Sequence, residues 1–114
     1  MRRDKWAKTR IRHLVQEYLV VLGMQHVEVR LMYRPTPVML RELKWKDSAA
    51  IISASRSTHA ADIAFNLTVL SETVKSEAGL RAIVVHELLH YRFPCLTEDQ
   101  VNTLARVIVG RETA

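Results

Sequence analysis

The chain has 114 residues, 48% of them hydrophobic and 25% charged, with a formal net charge of +5 and a single cysteine, Cys95. Such a length fits one domain, residues 1–114, able to bury roughly two-thirds of its unfolded surface. The composition excludes a disordered chain, one cysteine excludes an internal disulfide, and no apolar run approaches a bilayer span.

Residues from about Asp4 to Leu22 carry a helical pattern. Ile11, Leu14, Val15, Tyr18, Leu19 and Leu22 recur at three- and four-residue steps and so share one face. Gly23 follows and can take the left-handed conformation that closes a helix. Much of the positive charge sits early in the chain, at Arg2, Arg3, Lys5, Lys8, Arg10 and Arg12. A basic face of this kind can attract nucleic acid or an acidic partner, but no nucleic-acid motif accompanies it. The nearest candidate for a signal peptide, Tyr18 to Met24, follows Glu17 and a basic stretch, and no small-residue cleavage site comes after it. The expectation is a soluble, cytoplasmic protein without membrane association.

The period then switches to two. Val27, Val29, Leu31 and Tyr33 alternate with polar or flexible residues, which predicts a half-buried strand. Pro35-Thr36-Pro37 breaks it, and Val38 to Trp45 reads as a second strand. Lys46-Asp47-Ser48 reads as a turn, Ala49 to Ser55 as a third strand, and Arg56 to Ala61 as a loop. Asp62 to Val69 alternates Ile63, Phe65 and Leu67 against Ala64, Asn66 and Thr68, giving a fourth strand.

A second long helix can be capped by Ser71 or Ser76, with Leu80, Ile83, Val84, Leu88 and Tyr91 as its apolar stripe. It ends near Phe93, because Pro94 disfavours helical geometry in the residue before it. Thr97 followed by Gln100 is a capping-box pattern for a third helix, which Gly110 is expected to end. The order is helix, four strands, helix, helix. It predicts an α+β domain with helices packed on one face of a mostly antiparallel, twisted sheet of about four strands.

The second helix contains His86-Glu87-Leu88-Leu89-His90, an H-E-x-x-H pattern. Histidines four apart on a helix project from one face, so both imidazoles can reach one metal ion. Zinc suits neutral imidazole and in catalytic sites keeps one position for water. Glu87 stands beside that face, where its carboxylate can take a proton from an attacking water and pass it to the leaving amine.

Residues 86–90 resemble the motif of the zincin metallopeptidases, and the element order resembles their minimal catalytic half. The metzincin branch adds a histidine after its motif, and no histidine follows His90 here. The closer resemblance is to gluzincins, above all to small single-domain minigluzincins and to metallopeptidase-like proteins of phage and mobile elements. That resemblance implies a Zn2+ ion, peptide or protein substrates, and a glutamate ligand from the next helix.

Glu98, Asp99 and Glu112 are the acids available. Glu112 lies in the tail beyond Gly110, and Glu98, eight residues after His90, opens the third helix across the turn Phe93 to Leu96. Glu98 is the leading candidate, with Asp99, another residue, or no third protein ligand as the alternatives; an acid at that position also simply offsets the positive end of the helix dipole. Cys95 could ligate zinc as thiolate, although a lone cysteine is more often a small hydrophobe. His59, Tyr33, Arg56 and Tyr91 are candidates to stabilise a transition-state oxyanion, and His13 and His26 read as surface residues. By the same resemblance, substrate lies as an added strand along a sheet edge, with Asp62 to Val69 the candidate edge. The expected function is a small zinc peptidase with Glu87 as general base. The alternative is a zinc-bearing binding module with latent or lost peptidase activity, contacting nucleic acid or a partner protein through its basic first helix.

Overall fold

The first helix, α1 (Arg2–Val21), seats Ile11, Leu14 and Tyr18 in the core with no exposed surface. A fully buried side chain of that size contributes about 1.5–3 kcal/mol relative to exposure. Gly23 closes the helix as expected, at a φ of 66°. The Met24 N–H reaches back to the Leu19 carbonyl at 2.7 Å and the Gly23 N–H to Val20 at 3.1 Å. This paired arrangement satisfies the last carbonyls and buries Met24. The computed structural model describes residues 2–42, 45, 48–55, 58–74 and 76–113.

Strand β1 (Glu28–Met32) follows, and then the first departure from the expected order. Pro37–Glu42 is a short helix, α2, where a second strand was expected from Val38 to Trp45. The Thr36 hydroxyl accepts the Met39 N–H at 3.2 Å, and Pro37 occupies the first helical position. A Thr cap followed by proline is a helix start, and it outweighs the apolar character of Val38 to Leu40. Parts of the expected Lys46-Asp47-Ser48 turn and of the Arg56 to Ala61 loop lie outside the described residues.

Strands β2 (Ala50–Ser55) and β3 (Ala60–Phe65) complete the sheet, which is three-stranded and mixed in place of the four mostly antiparallel strands expected. The order is β1-β3-β2, with β1 parallel and β2 antiparallel to β3. β3 is therefore central, which removes it as a candidate edge; the edges are β1 and β2. Its position follows from its composition, since Ile63, Ala64 and Phe65 are each fully buried. The expected continuation to Val69 fails because Asn66 stops the strand. Its side chain accepts the Val69 N–H at 3.3 Å and donates to the Trp45 carbonyl at 3.0 Å, capping an unforeseen helix α3 (Leu67–Thr73).

Helix α4 (Glu77–Arg92) starts at Ser76, one of the two expected caps, while the other, Ser71, lies inside α3; it ends at Phe93, as expected. Leu80, Val84, Val85, Leu88 and Leu89 bury it against α1 and the sheet. Across the two helices Arg81 pairs with Glu17 and with the Tyr18 hydroxyl, and Arg10 pairs with Glu77. The capping box of α5 (Glu98–Thr113) is reciprocal: Gln100 N–H to Thr97 Oγ1 at 3.1 Å, and Thr97 N–H to Gln100 Oε1 at 2.9 Å. α5 does not end at Gly110 but runs on to Thr113, since glycine continues a helix at a cost of about 1 kcal/mol relative to alanine.

The two faces of the sheet are covered unequally. Ala61, Ile63 and Phe65 belong to the main core with α1 and α4, whereas Ile51 and Ala64 form a small second cluster with Met39 of α2. Helices thus cover both faces, not one. No helix among the described residues is long and apolar enough to cross a membrane.

Candidate metal centre

α4 and α5 are joined by the tight turn at Pro94, so the first turn of α5 folds back beside the last two turns of α4. That arrangement brings together His86, His90 and Glu98. His90 Nε2 lies 2.7 Å from Glu98 Oε1, His86 Nε2 lies 3.2 Å from Glu98 Oε2, and the two Nε2 atoms are 2.9 Å apart. One ligand atom from each residue lies within 4.8 Å of the others. Glu98 is not spent on its helix dipole alone: its side chain, 68% exposed, still turns onto both imidazoles.

The cluster stands on the wall of an open cleft of about 610 Å³. Ala50, Ile51 and Ile52 of the β2 edge form one side, and Ala82 and Ile83 of α4 continue it. Glu87 lines the same cleft while only 8% exposed. Its burial, with the Glu98 charge adding to it, pushes its carboxyl up to about 8. His86 moves the other way. Burial and the neighbouring His90 lower its pKa, partly offset by Glu98 and by a hydrogen bond with Asn102.

Asn102 is the residue that sequence reasoning missed. It lines the cleft one helical turn after Glu98, on the same side of α5. The spacing from Glu98 to Asn102 repeats that from His86 to His90, and this was the available signal.

The other candidates lie elsewhere. Cys95 is exposed and outside the cluster, and Asp99 takes no part in it. Glu112 has no described side chain, and Arg56 lies outside the described residues. Tyr33 packs against Phe65 under the Lys8 ammonium, and His59 faces His26 with ring centroids 5.3 Å apart. Tyr91, with those two histidines, lines a separate cavity. None of Tyr33, His59 or Tyr91 lines the cleft, so none is placed to stabilise an oxyanion there. His13 and His26 are exposed, as expected.

Two imidazole nitrogens and a carboxylate oxygen form a donor set that catalytic zinc accepts. Tetrahedral bonds of zinc length hold donor atoms about 3.3 Å apart, close to the separations between these three groups. A lowered His86 pKa keeps that imidazole neutral and able to ligate. The residues fit a zinc ion.

The pKa shifts also predict a pH dependence for the metal-free protein. A carboxyl raised from 4.5 to about 8 on folding stabilises fully below 4.5, and that contribution is lost as pH rises through 8. His86, lowered from 6.5, costs stability only as pH falls below 6.5, so it is silent above that value. Between 6.5 and 8 the thermal midpoint of metal-free protein should therefore fall, and Glu87→Gln should flatten the decline. Zinc should flatten it too, because a neighbouring cation favours the carboxylate. Equal slopes for wild type and Glu87→Gln without metal would show that Glu87 does not titrate in this window.

Compared with protein-family models, with curated proteins and with solved structures, the chain matches none.

Proposed function

We propose that this protein is a small zinc-dependent metallopeptidase of the gluzincin type. The observation that carries the reading is the convergence of His86, His90 and Glu98 at the wall of an open cleft that Glu87 also lines. His86, His90 and Glu98 would hold the zinc, with Asn102 orienting the His86 ring. When bound, zinc supplies a Lewis acid that polarises a carbonyl and lowers the pKa of water.

The chain's own residues account for the rest. A carboxylate oxygen of Glu87 accepts the proton of the attacking water and then delivers it to the leaving nitrogen. The β2 edge, and not β3, is the place for an extended peptide, because Ala50, Ile51 and Ile52 border the same cleft as the cluster. Ile51, Ile52, Ala82 and Ile83 give that channel an apolar wall, suited to apolar side chains next to the scissile bond.

The test is a pool of unstructured peptides incubated with protein carrying about one zinc ion per chain, with cleavage read by mass spectrometry. Cleavage should occur, stop on chelation and return when zinc is restored. Stoichiometric zinc without cleavage of any peptide would replace this reading with that of a zinc-bearing binding module.

A further inference from the structure

The sheet has a second open edge, far from the cleft in strand order. β1 pairs with β3 on one side, and among the described residues no strand pairs with the other. Beside it runs a groove of about 400 Å³, floored by Val29 and Leu31 of β1 and walled by Val15, Gln16 and Leu19 of α1, with Arg12 at its rim. Val29 and Leu31 lie on the same face of the sheet as Ile63, so the groove extends the apolar layer beneath α1.

Charge collects at that rim. Lys5, Lys8 and Arg12 share one face of α1 at three- and four-residue steps, and all three are exposed. The Lys8 ammonium sits 5.0 Å from the Tyr33 ring centroid, Arg12 is near enough for its charge to act on the Tyr33 hydroxyl, and exposed Arg34 follows. Among the described side chains no acid pairs with any of these four, whereas Arg10, Arg30 and Arg81 are each paired with an acid. The one acid of β1, Glu28, stands on the opposite face of the strand from Val29 and Leu31.

We propose that the free edge of β1 and its basic rim form a second docking surface. It takes an extended segment of another protein that adds as a strand with its apolar residues under α1 and continues, past the Tyr33 end of β1, into an acidic run whose carboxylates meet Lys5, Lys8, Arg12 and Arg34. The open edge supplies main-chain hydrogen bonds, the groove takes alternate side chains, and the cations select sign. Nucleic acid is the poorer fit. Tyr33, the aromatic ring at the patch, has Lys8 over its face and packs against Phe65, which leaves it unavailable as a platform for a base. This surface does not depend on the metallopeptidase reading, since it shares no residue with the cleft.

The test measures binding of a fluorescein-labelled peptide in which about five residues of alternating valine and threonine, as suits one strand, are flanked at each end by about three glutamates. Glu87→Gln protein is used so that the probe is not cut, and anisotropy reads binding whether or not the protein is a peptidase. The expected result is binding that weakens with added salt and falls at least about tenfold in Lys8→Glu/Arg12→Glu. A probe with proline at alternate valines should bind as weakly, because it lacks the N–H groups an edge requires. Lys8 and Arg12 are exposed, so the fold should survive; Arg34→Glu gives the same reading should the double variant fail to fold. In the wild-type background the charge reversal should leave cleavage of a short neutral peptide unchanged. Equal binding by the charge-reversed protein, equal binding of the proline probe, or tighter binding of an oligothymidylate of similar length would each overturn the proposal.

Discussion

Glu87→Gln is expected to lower peptide hydrolysis by about 10²–10⁴-fold while leaving zinc content and fold intact. The amide matches the carboxyl in size and keeps the cleft wall in place, but it cannot accept a proton from the attacking water. Glu87 contributes no ligand atom to the cluster of His86, His90 and Glu98, so the metal should stay. Burial makes the substitution informative. Only 8% of Glu87 is exposed, and its carboxyl is raised to about 8 without metal, so the metal-free protein holds it protonated at neutral pH. A cation held by the adjacent ligands favours the ionised form, which is the form a base must have. The readouts are kcat/KM on a cleaved peptide, zinc by elemental analysis and a thermal melt. Hydrolysis at the wild-type rate in a zinc-loaded Glu87→Gln protein would remove the residue from the mechanism.

Several local signals in the sequence mark where an element starts or stops. The Gly23 stop, the Ser76 cap and the Thr97–Gln100 box each involve groups within a few residues of one another, and each stands where expected. Two local signals were outweighed wrongly. The apolar run after Thr36-Pro37 masked a cap-and-proline helix start, and the alternation through Leu67 masked Asn66 as a cap. The parallel pairing of β1 with β3 is of another kind. It joins residues about thirty apart in the chain, and strand periodicity carries no information on which neighbour a strand chooses. That choice put β3 in the centre and moved the candidate substrate edge to β2.

The candidate site divides in the same way. His86 and His90 share a helix face, and their spacing alone brings the rings together at 4.6 Å. Glu98 sits on another helix, where an acid in the first turn is also what the helix dipole favours. Its direction depends on how sharply the Phe93 to Leu96 turn reverses the chain, and that is a property of packing. Asn102 inherits its place from Glu98 and could be foreseen only after it.

Glu98→Gln should therefore cost zinc affinity far more than it costs the metal-free fold. A neutral amide oxygen is a poor zinc donor, and losing one of three protein ligands should exceed the about 10–100-fold effect of changing a group that only orients a ligand. A hundredfold weaker affinity removes about 2.7 kcal/mol of the stabilisation that zinc confers when it saturates the wild type in excess. The thermal midpoint of Glu98→Gln in zinc should thus fall well below that of wild type, while the two metal-free midpoints stay close. Helix-dipole stabilisation alone makes a different forecast: a loss of about 0.3–1 kcal/mol with or without metal, and unchanged zinc affinity. Asp99→Asn is the matched control, since Asp99 occupies the same first turn but takes no part in the cluster. It should show only the dipole effect. Competitive zinc titration of the two variants against a chelating dye separates the forecasts, and a Glu98→Gln protein that binds zinc like Asp99→Asn would leave the histidine pair without its carboxylate and end the gluzincin reading.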